Sequence, residues 1–152
     1  MQRKEIIMNV RSSGYLKGLK PCYVFLRQNI GKIYNGTQAD FIMSLKNKVL
    51  YFQKISFFFK KLKPKDDFEL NITKFKEYAI FEKTFENILC LYDRNNNFIE
   101  IHYHKGIPDT YITEDNISRM CKLFDEAGIK QIYKDEEVDV DEESDTEGKG
   151  SN

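Results

Sequence analysis

The segment from Tyr111 to Ile129, YITEDNISRMCKLFDEAGI, constrains the fold most, because its pattern is that of one amphipathic helix. Thr113 is predicted to cap its start, and Gly128 is predicted to end it in the left-handed conformation, with Ile129 folding back on Phe124. The residues at helical spacing that form its apolar stripe are Ile117, Met120, Cys121 and Phe124. A helix with one apolar face must cover a hydrophobic surface, so the rest of the chain has to supply that surface.

Upstream of this helix, apolar runs alternate with turn residues, which predicts six or seven antiparallel strands. The predicted strands are Cys22–Ile30, Ala39–Leu45, Val49–Ile55, Phe68–Ile72, Tyr78–Lys83, Asn87–Tyr92 and Phe98–Tyr103. Residues 56–67 contain Pro64 and many charges, so we expect a loop there. Strands followed by one helix indicate an α+β fold, either a small barrel plugged by the helix or a sheet with the helix across one face.

The charges of this 152-residue chain are divided unevenly, although the net charge is zero. Residues 134–152 contain nine acidic side chains and two lysines, which leaves 22 basic and 15 acidic side chains for residues 1–133. The acidic stretch offers almost nothing apolar to bury, so it is predicted to be a disordered tail. We therefore expect an N-terminal extension over residues 1–20, in which residues 5–10 could form a short strand, one domain over residues 21–133, and the tail over residues 134–152.

The cysteines and the N-terminus indicate a cytoplasmic protein. The chain has an odd number of cysteines, namely Cys22, Cys90 and Cys121. They are widely spaced and lie among apolar residues, which is typical of buried reduced thiols. The first residues lack the apolar core of a signal peptide, and no apolar run has the length of a membrane span.

From about Ala39 to Ile132 the chain resembles the bacterial pleckstrin-homology-like (PH-like) domains. The resemblance rests on the hairpin ADFIMSLKNKVLYFQKI, the strand FELNI leading into TKFKEYAIFEK, the meander NILCLYDRNNNFIEIHY and the closing helix. It implies a small barrel or curved sheet closed by the C-terminal helix. It also implies a non-enzymatic interaction or scaffold domain that binds a protein partner.

The stretch from Lys54 to Lys65, KISFFFKKLKPK, is the sharpest candidate site, because it places aromatic side chains beside basic ones. Anionic lipid attracts such a surface, by about 1 kcal/mol for each lysine near the membrane. The alternative is that the phenylalanines are core residues and the lysines a solvated loop. The candidate lipid or partner residues are Phe57, Phe58, Lys60, Lys61, Lys63 and Lys65.

The sequence gives less support to a metal site, a catalytic site or a nucleic-acid interface. His102 and His104 lie two apart on a predicted strand, with Glu100 on the same face, but three such side chains converge poorly on one ion. The chain has no GxSxG, HExxH or P-loop motif. We therefore predict no catalytic residue, no metal and no cofactor. The modest basic excess and the lack of an RNP-like motif also argue against a nucleic-acid partner.

Overall fold

The computed structural model describes residues 22–27, 30–56, 61–62, 66–105 and 108–133, and within them it contains one sheet and one long helix. The helix, α1, spans Pro108–Glu126. A short 3-10 helix at Ile72–Lys74 lies between the fifth and sixth strands. In chain order the strands are β1 Cys22–Leu26, β2 Ala39–Lys46, β3 Val49–Ser56, β4 Lys61–Leu62, β5 Phe68–Asn71, β6 Phe75–Glu82, β7 Glu86–Asp93, β8 Phe98–His104 and β9 Lys130–Gln131.

The described strands form one mixed sheet in the order β4-β3-β2-β1-β8-β7-β6-β9, with β5 also paired to β3. All pairs are antiparallel except β6 with β9. The path has two ends and does not close on itself. The fold is therefore α+β with a curved, unclosed sheet, and the predicted alternative of a closed barrel is not what the described strands form.

The helix stripe packs on one face of the sheet, which we call the inner face. Ile117, Met120, Cys121 and Phe124 are buried together with inner side chains of β1, β2, β3, β7 and β8. The stripe predicted from helical spacing is thus confirmed. The same core contains Leu70 and Ile72, as the predicted alternation of the FELNI strand requires.

The predicted end of α1 is confirmed, whereas its predicted start was wrong. Gly128 has φ +85°, its N–H bonds to the Asp125 carbonyl at 3.1 Å, and the Ile129 N–H bonds to the Phe124 carbonyl at 2.9 Å. These are the two bonds of a Schellman end. At the other end the helix begins at Pro108, whose fixed φ suits a first helical turn. Thr113 therefore lies inside the helix and does not cap it.

Other element boundaries differ from the predicted ones. β1 ends at Leu26, four residues before the predicted Ile30, and β6 begins three residues earlier than predicted. The segment predicted to be a loop contains β4, which pairs with the end of β3. The hairpin between β2 and β3 is confirmed, and its turn residues Asn47 and Lys48 both have positive φ. A two-residue turn with two positive φ angles matches the twist of the strands that it joins.

The three cysteines are buried and none forms a disulfide, as predicted. Cys22 and Cys121 belong to the core between α1 and the inner face, whereas Cys90 belongs to a second cluster on the opposite face of β6, β7 and β8. That opposite face, which we call the outer face, is also buried. Ile42, Cys90 and His102 are at most 2% exposed there.

Candidate functional sites

Most of the predicted basic-aromatic site lies outside the described residues, namely Phe57, Phe58, Lys60, Lys63 and Lys65. Of Lys61 the structure describes the backbone, which belongs to β4 and pairs with Ser56. Leu62 pairs with Ile55 in the same ladder. The pairing brings the two ends of residues 57–60 together, so these four residues connect neighbouring strands.

Lys54, at the start of that basic stretch, is engaged in local contacts. Its Nζ lies 3.5 Å from Asp66 Oδ2, and its backbone N–H donates to Asp67 Oδ1 at 3.0 Å. Burial raises the pKa of Asp67 to about 6, the hydrogen bond from Lys54 opposes this rise, and the nearby charge of Asp66 adds to it. These contacts attach the turn to β3. Because the Lys54 ammonium group lies beside Asp66, it contributes less to a cationic surface than an unpaired lysine would.

A groove of about 480 Å³ lies beside this turn. Its wall includes Tyr34 and Phe68, whose rings stack with centroids 5.5 Å apart, and Phe68 stacks in turn on Phe52 at 4.6 Å. The Tyr34 hydroxyl donates to the Thr37 carbonyl. These rings extend the core to the surface, and Lys54 and Asp66 close the groove on its polar side.

His102 has both ring nitrogens occupied by carboxylates. Nδ1 lies 3.1 Å from Glu86 Oε2 and Nε2 lies 3.1 Å from Glu100 Oε1, while the Phe25 ring stacks on the imidazole at 4.8 Å. An imidazolium can donate to both carboxylates, whereas a neutral imidazole can donate to only one. The arrangement ties β8 to β7 at a nearly inaccessible position.

The predicted grouping of Glu100, His102 and His104 is brought together only in part. Glu100 bonds to His102, and the Phe25 ring contacts the rings of both histidines. Among the described residues there is no group of three or more His, Cys, Asp or Glu side chains arranged to hold a metal ion. On this face His102 is buried, whereas Glu100 and His104 on either side of it are half-buried.

A second groove, of about 340 Å³, lies between α1 and the turn that joins β2 to β3, and we call it the helix–turn groove. Its apolar lining consists of Leu45, Ile72, Leu123 and Ala127, and its polar rim consists of Asn47, Lys48 and Glu126. Leu123 is 46% exposed although it is a large apolar residue. An apolar lining with a charged rim is the usual make-up of a small binding site.

Sequence reasoning missed the helix–turn groove. One local signal was available, because Leu123 is an apolar residue of the predicted helix that falls outside the four-residue stripe. Its neighbours in the groove come from β2 and the 3-10 helix, which are distant in sequence. Only the packing of the helix on the sheet brings them together.

A third groove, of about 770 Å³, surrounds the tip of the β6–β7 hairpin. Phe85 at that tip is 79% exposed, and Lys83, Lys105, Glu82 and Glu86 lie around it. The charges are mixed in sign, so the groove has no clear preference for an anion or a cation.

Comparisons with known proteins support the fold and leave the function open. No family model matches the chain, and no curated protein matches it either. Among solved structures, the chain is similar to the hSac2 domain from human phosphoinositide phosphatase Sac2. The TM-score is 0.51 at 11% identity, and the match covers 100% of this chain and 99% of that chain. At this identity the likeness concerns the fold alone.

The described part of the chain contains no helix that combines the length and the apolar character needed to cross a membrane.

Proposed function

We propose that this chain is a non-enzymatic interaction domain of PH-like fold that binds a protein partner through the helix–turn groove. The PH-like assignment is supported by the succession of antiparallel strands followed by one C-terminal helix. The observation that carries the binding proposal is the exposed Leu123 side chain, which is continuous with the apolar lining of the groove.

The groove defines the chemistry of the partner. Leu45, Ile72 and Ala127 offer an apolar floor for one or two aliphatic or aromatic side chains. Lys48 and Glu126 on the rim offer one charge of each sign to the flanking residues of a bound peptide. A short peptide with a central apolar anchor fits this description, because binding energy concentrates where an anchor fills an apolar pocket and polar contacts surround it.

The test is selection of peptides from a random displayed library on the full chain, followed by affinity measurement. We expect the selected peptides to share an apolar anchor and to lose at least tenfold in affinity with Leu123→Glu, because that substitution places a charge at the mouth of the groove. Leu123 is largely exposed, so the substitution should leave the fold intact.

Phe85→Glu is the matched control, because it also replaces an exposed apolar residue by an acid but lies at the β6–β7 tip. It should leave the affinity of these peptides unchanged. Peptides that bind the Leu123→Glu variant as tightly as the wild type, or that respond only to Phe85→Glu, would place the binding surface elsewhere.

A second candidate, peripheral binding to anionic lipid through residues 54–65, is favoured by one specific observation. The pairing of Ser56 with Lys61 places the backbone of Lys61 at the edge of the sheet. The sequence between these two residues contains Phe57, Phe58 and Lys60. Aromatic side chains beside lysines in one short stretch are suited to the interface of an anionic membrane.

Co-sedimentation with liposomes tests this candidate. The full chain and a variant ending at Tyr133 are incubated with neutral and with anionic vesicles at low and at physiological salt. Binding through residues 54–65 should require anionic lipid, fall with salt, and be lost when Lys60, Lys61 and Lys63 are replaced by Glu. Absence of binding by both forms at low salt would exclude the lipid candidate and leave the helix–turn groove unaffected.

A further inference from the structure

Asn35 and Gly36 form the one asparagine–glycine pair of the sequence, and both residues are exposed in the connection between β1 and β2. The carboxamide of an asparagine can be attacked by the backbone nitrogen of the residue that follows it. A glycine at that place favours the attack, because it has no Cβ to shield its nitrogen. The reaction then depends on whether the fold leaves this nitrogen accessible.

The fold leaves the backbone N–H of Gly36 available. Residues 34–37 belong to no helix or strand, and no acceptor among the described residues bonds to this N–H. The Tyr34 hydroxyl donates to the Thr37 carbonyl, so a hydrogen bond spans the pair from outside without engaging the reactive groups. Both the carboxamide and the nitrogen that would attack it therefore remain accessible to water in the folded domain.

The three asparagines of the turn between β7 and β8 lack such an available nitrogen. The backbone N–H groups of Asn96 and Asn97 donate to Asp93 at 3.2 and 3.0 Å. The Phe98 N–H, which follows the last of these asparagines, donates to the Gly31 carbonyl at 2.9 Å. A nitrogen that donates to an acceptor and carries a side chain on its own residue is poorly placed to attack a neighbouring carboxamide.

The remaining asparagines that the structure describes are also protected, with one exception. Asn87 and Asn116 lie inside β7 and α1, where the backbone N–H groups are paired. Asn71 precedes Ile72, whose N–H donates to a carbonyl at 2.8 Å. The exception is Asn47, which is exposed in the turn between β2 and β3 and is followed by a lysine. Asn47 is therefore the natural internal comparison for the asparagine–glycine pair.

The chemistry needs only the chain and water. The Gly36 nitrogen loses its proton and bonds to Cγ of Asn35, while the Cγ–Nδ2 bond breaks and ammonia leaves with a proton. Water then opens the resulting cyclic imide at one of its two carbonyls, which restores the backbone N–H. One opening yields aspartate, and the other yields isoaspartate, in which the main chain runs through Cβ and Cγ and is longer by one carbon.

Both products would alter the groove of about 480 Å³ beside this loop. Asn35 lines that groove together with Asp66, so either product adds a second carboxyl group to its wall. Isoaspartate also lengthens the backbone between Tyr34 and Thr37, which the Tyr34 hydroxyl bridges. The Tyr34 ring stacks on Phe68 with centroids 5.5 Å apart, so the longer backbone would strain this contact with the core.

We propose that Asn35 is a site of spontaneous covalent modification, at which the carboxamide is converted to aspartate and isoaspartate through a cyclic imide with Gly36 while the domain stays folded. The modification needs no enzyme and no cofactor. It changes the charge of the groove and, in the isoaspartate form, the course of the loop that holds Tyr34 against the sheet.

Incubation of the full chain at neutral pH and physiological temperature, in water enriched in oxygen-18, tests the proposal. The protein is then digested in ordinary water, and peptide mass spectrometry with fragmentation that separates aspartate from isoaspartate follows each asparagine. We expect Asn35 to be converted at least about tenfold faster than Asn47, because only the former precedes a glycine. The products should include isoaspartate and should contain heavy oxygen, which marks conversion before the digestion.

Two substitutions test the role of the following residue. Gly36→Ala should slow the conversion of Asn35 at least about tenfold, since a Cβ shields the nitrogen. That Cβ would also lie 2.5 Å from the Tyr34 hydroxyl oxygen, so the variant disturbs the loop as well. Lys48→Gly is the matched variant that leaves this loop untouched. It creates a second asparagine–glycine pair at a position of positive φ, and it should speed the conversion of Asn47 at least about tenfold.

The same measurement in guanidinium chloride gives the rate of the unfolded chain. In the folded protein Asn35 should keep at least about a tenth of that rate, because its loop leaves the reacting groups accessible. The proposal is overturned if Asn35 is converted no faster than Asn47, or if folding slows its conversion by more than this. Aspartate without isoaspartate would also overturn it, because direct hydrolysis of the carboxamide would then be the reaction.

Discussion

Asp67 sits in the turn before β5, where partial burial and a hydrogen bond act on its carboxyl in opposite directions. The desolvation is the larger effect and raises the pKa to about 6, from a normal value of 3.8. The folded protein therefore holds a proton on Asp67 at pH values where the unfolded chain has lost it. The folded state is favoured below pH 4, and this advantage is lost as the pH rises towards 6.

We predict that Asp67→Asn stabilises the protein above pH 6 by about 1 kcal/mol, after allowance for solvent screening at a half-buried position. The amide is always neutral, and its oxygen can still accept from the Lys54 N–H. At pH 3.5 the difference should shrink to less than about 0.5 kcal/mol, because Asp67 is then largely protonated in both states. Urea unfolding at pH 3.5, 5 and 7.5 measures the difference.

Glu69→Gln on the exposed side of β5 is the control for that series, because it removes the same charge without the burial. It should change the free energy of unfolding by less than about 0.5 kcal/mol. An Asp67→Asn effect of equal size at all three pH values would contradict the titration that we assign to Asp67.

At the scale of elements, the end of α1 depends on one residue. Gly128 holds φ at +85°, and a Cβ added there would have no atom within 4 Å. Replacement by alanine therefore costs backbone strain alone, without a clash, and we predict that Gly128→Ala lowers the free energy of unfolding by about 1 kcal/mol. Chemical denaturation of the two proteins measures this.

Asparagine tolerates the left-handed conformation better than alanine, so Gly128→Asn should cost less than Gly128→Ala. Gly31 offers the contrast. A Cβ at that position would lie 1.8 Å from the Phe98 carbonyl oxygen, and the substitution should cost more than either change at Gly128. If Gly128→Ala lowered the free energy of unfolding as much as Gly31→Ala, the helix end would be held by contacts and not by the backbone conformation.

The elements that the sequence predicted well are those with local causes. The stripe and the end of α1 follow from helical spacing and from the conformational freedom of Gly128. The start of α1 was missed because Pro108 and Thr113 are both acceptable near a first turn, and the choice between them is not local. The burial of His102 was not predicted, because the side chains that occupy its two ring nitrogens, Glu86 and Glu100, come together only when β7 pairs with β8.

At the scale of the whole molecule, the sequence predicted the α+β class and the strand succession but not the sites. The helix–turn groove joins residues of β2, the 3-10 helix and α1, which meet only after the sheet has formed. The division of charge, in contrast, is visible in the sequence alone. Residues 1–133 have a net charge of +7 and residues 134–152 a net charge of −7.

We predict that a variant ending at Tyr133 keeps the unfolding free energy of the full chain to within about 0.5 kcal/mol at 0.15 M salt. The acidic stretch can bury little apolar surface, and its attraction to the basic body is screened over about 8 Å at that salt. At 0.01 M salt the attraction between the charges extends over about 30 Å. The full chain should then be the more stable of the two, by less than about 1 kcal/mol. Thermal and urea unfolding at the two salt concentrations measure the difference.

The control is a full-length variant in which the acidic residues of the tail are replaced by Asn and Gln. It should have the same unfolding free energy as the truncated protein at both salt concentrations, because the tail stabilises the domain through its charge alone. A difference that persists at high salt would instead mean that the tail packs on the domain.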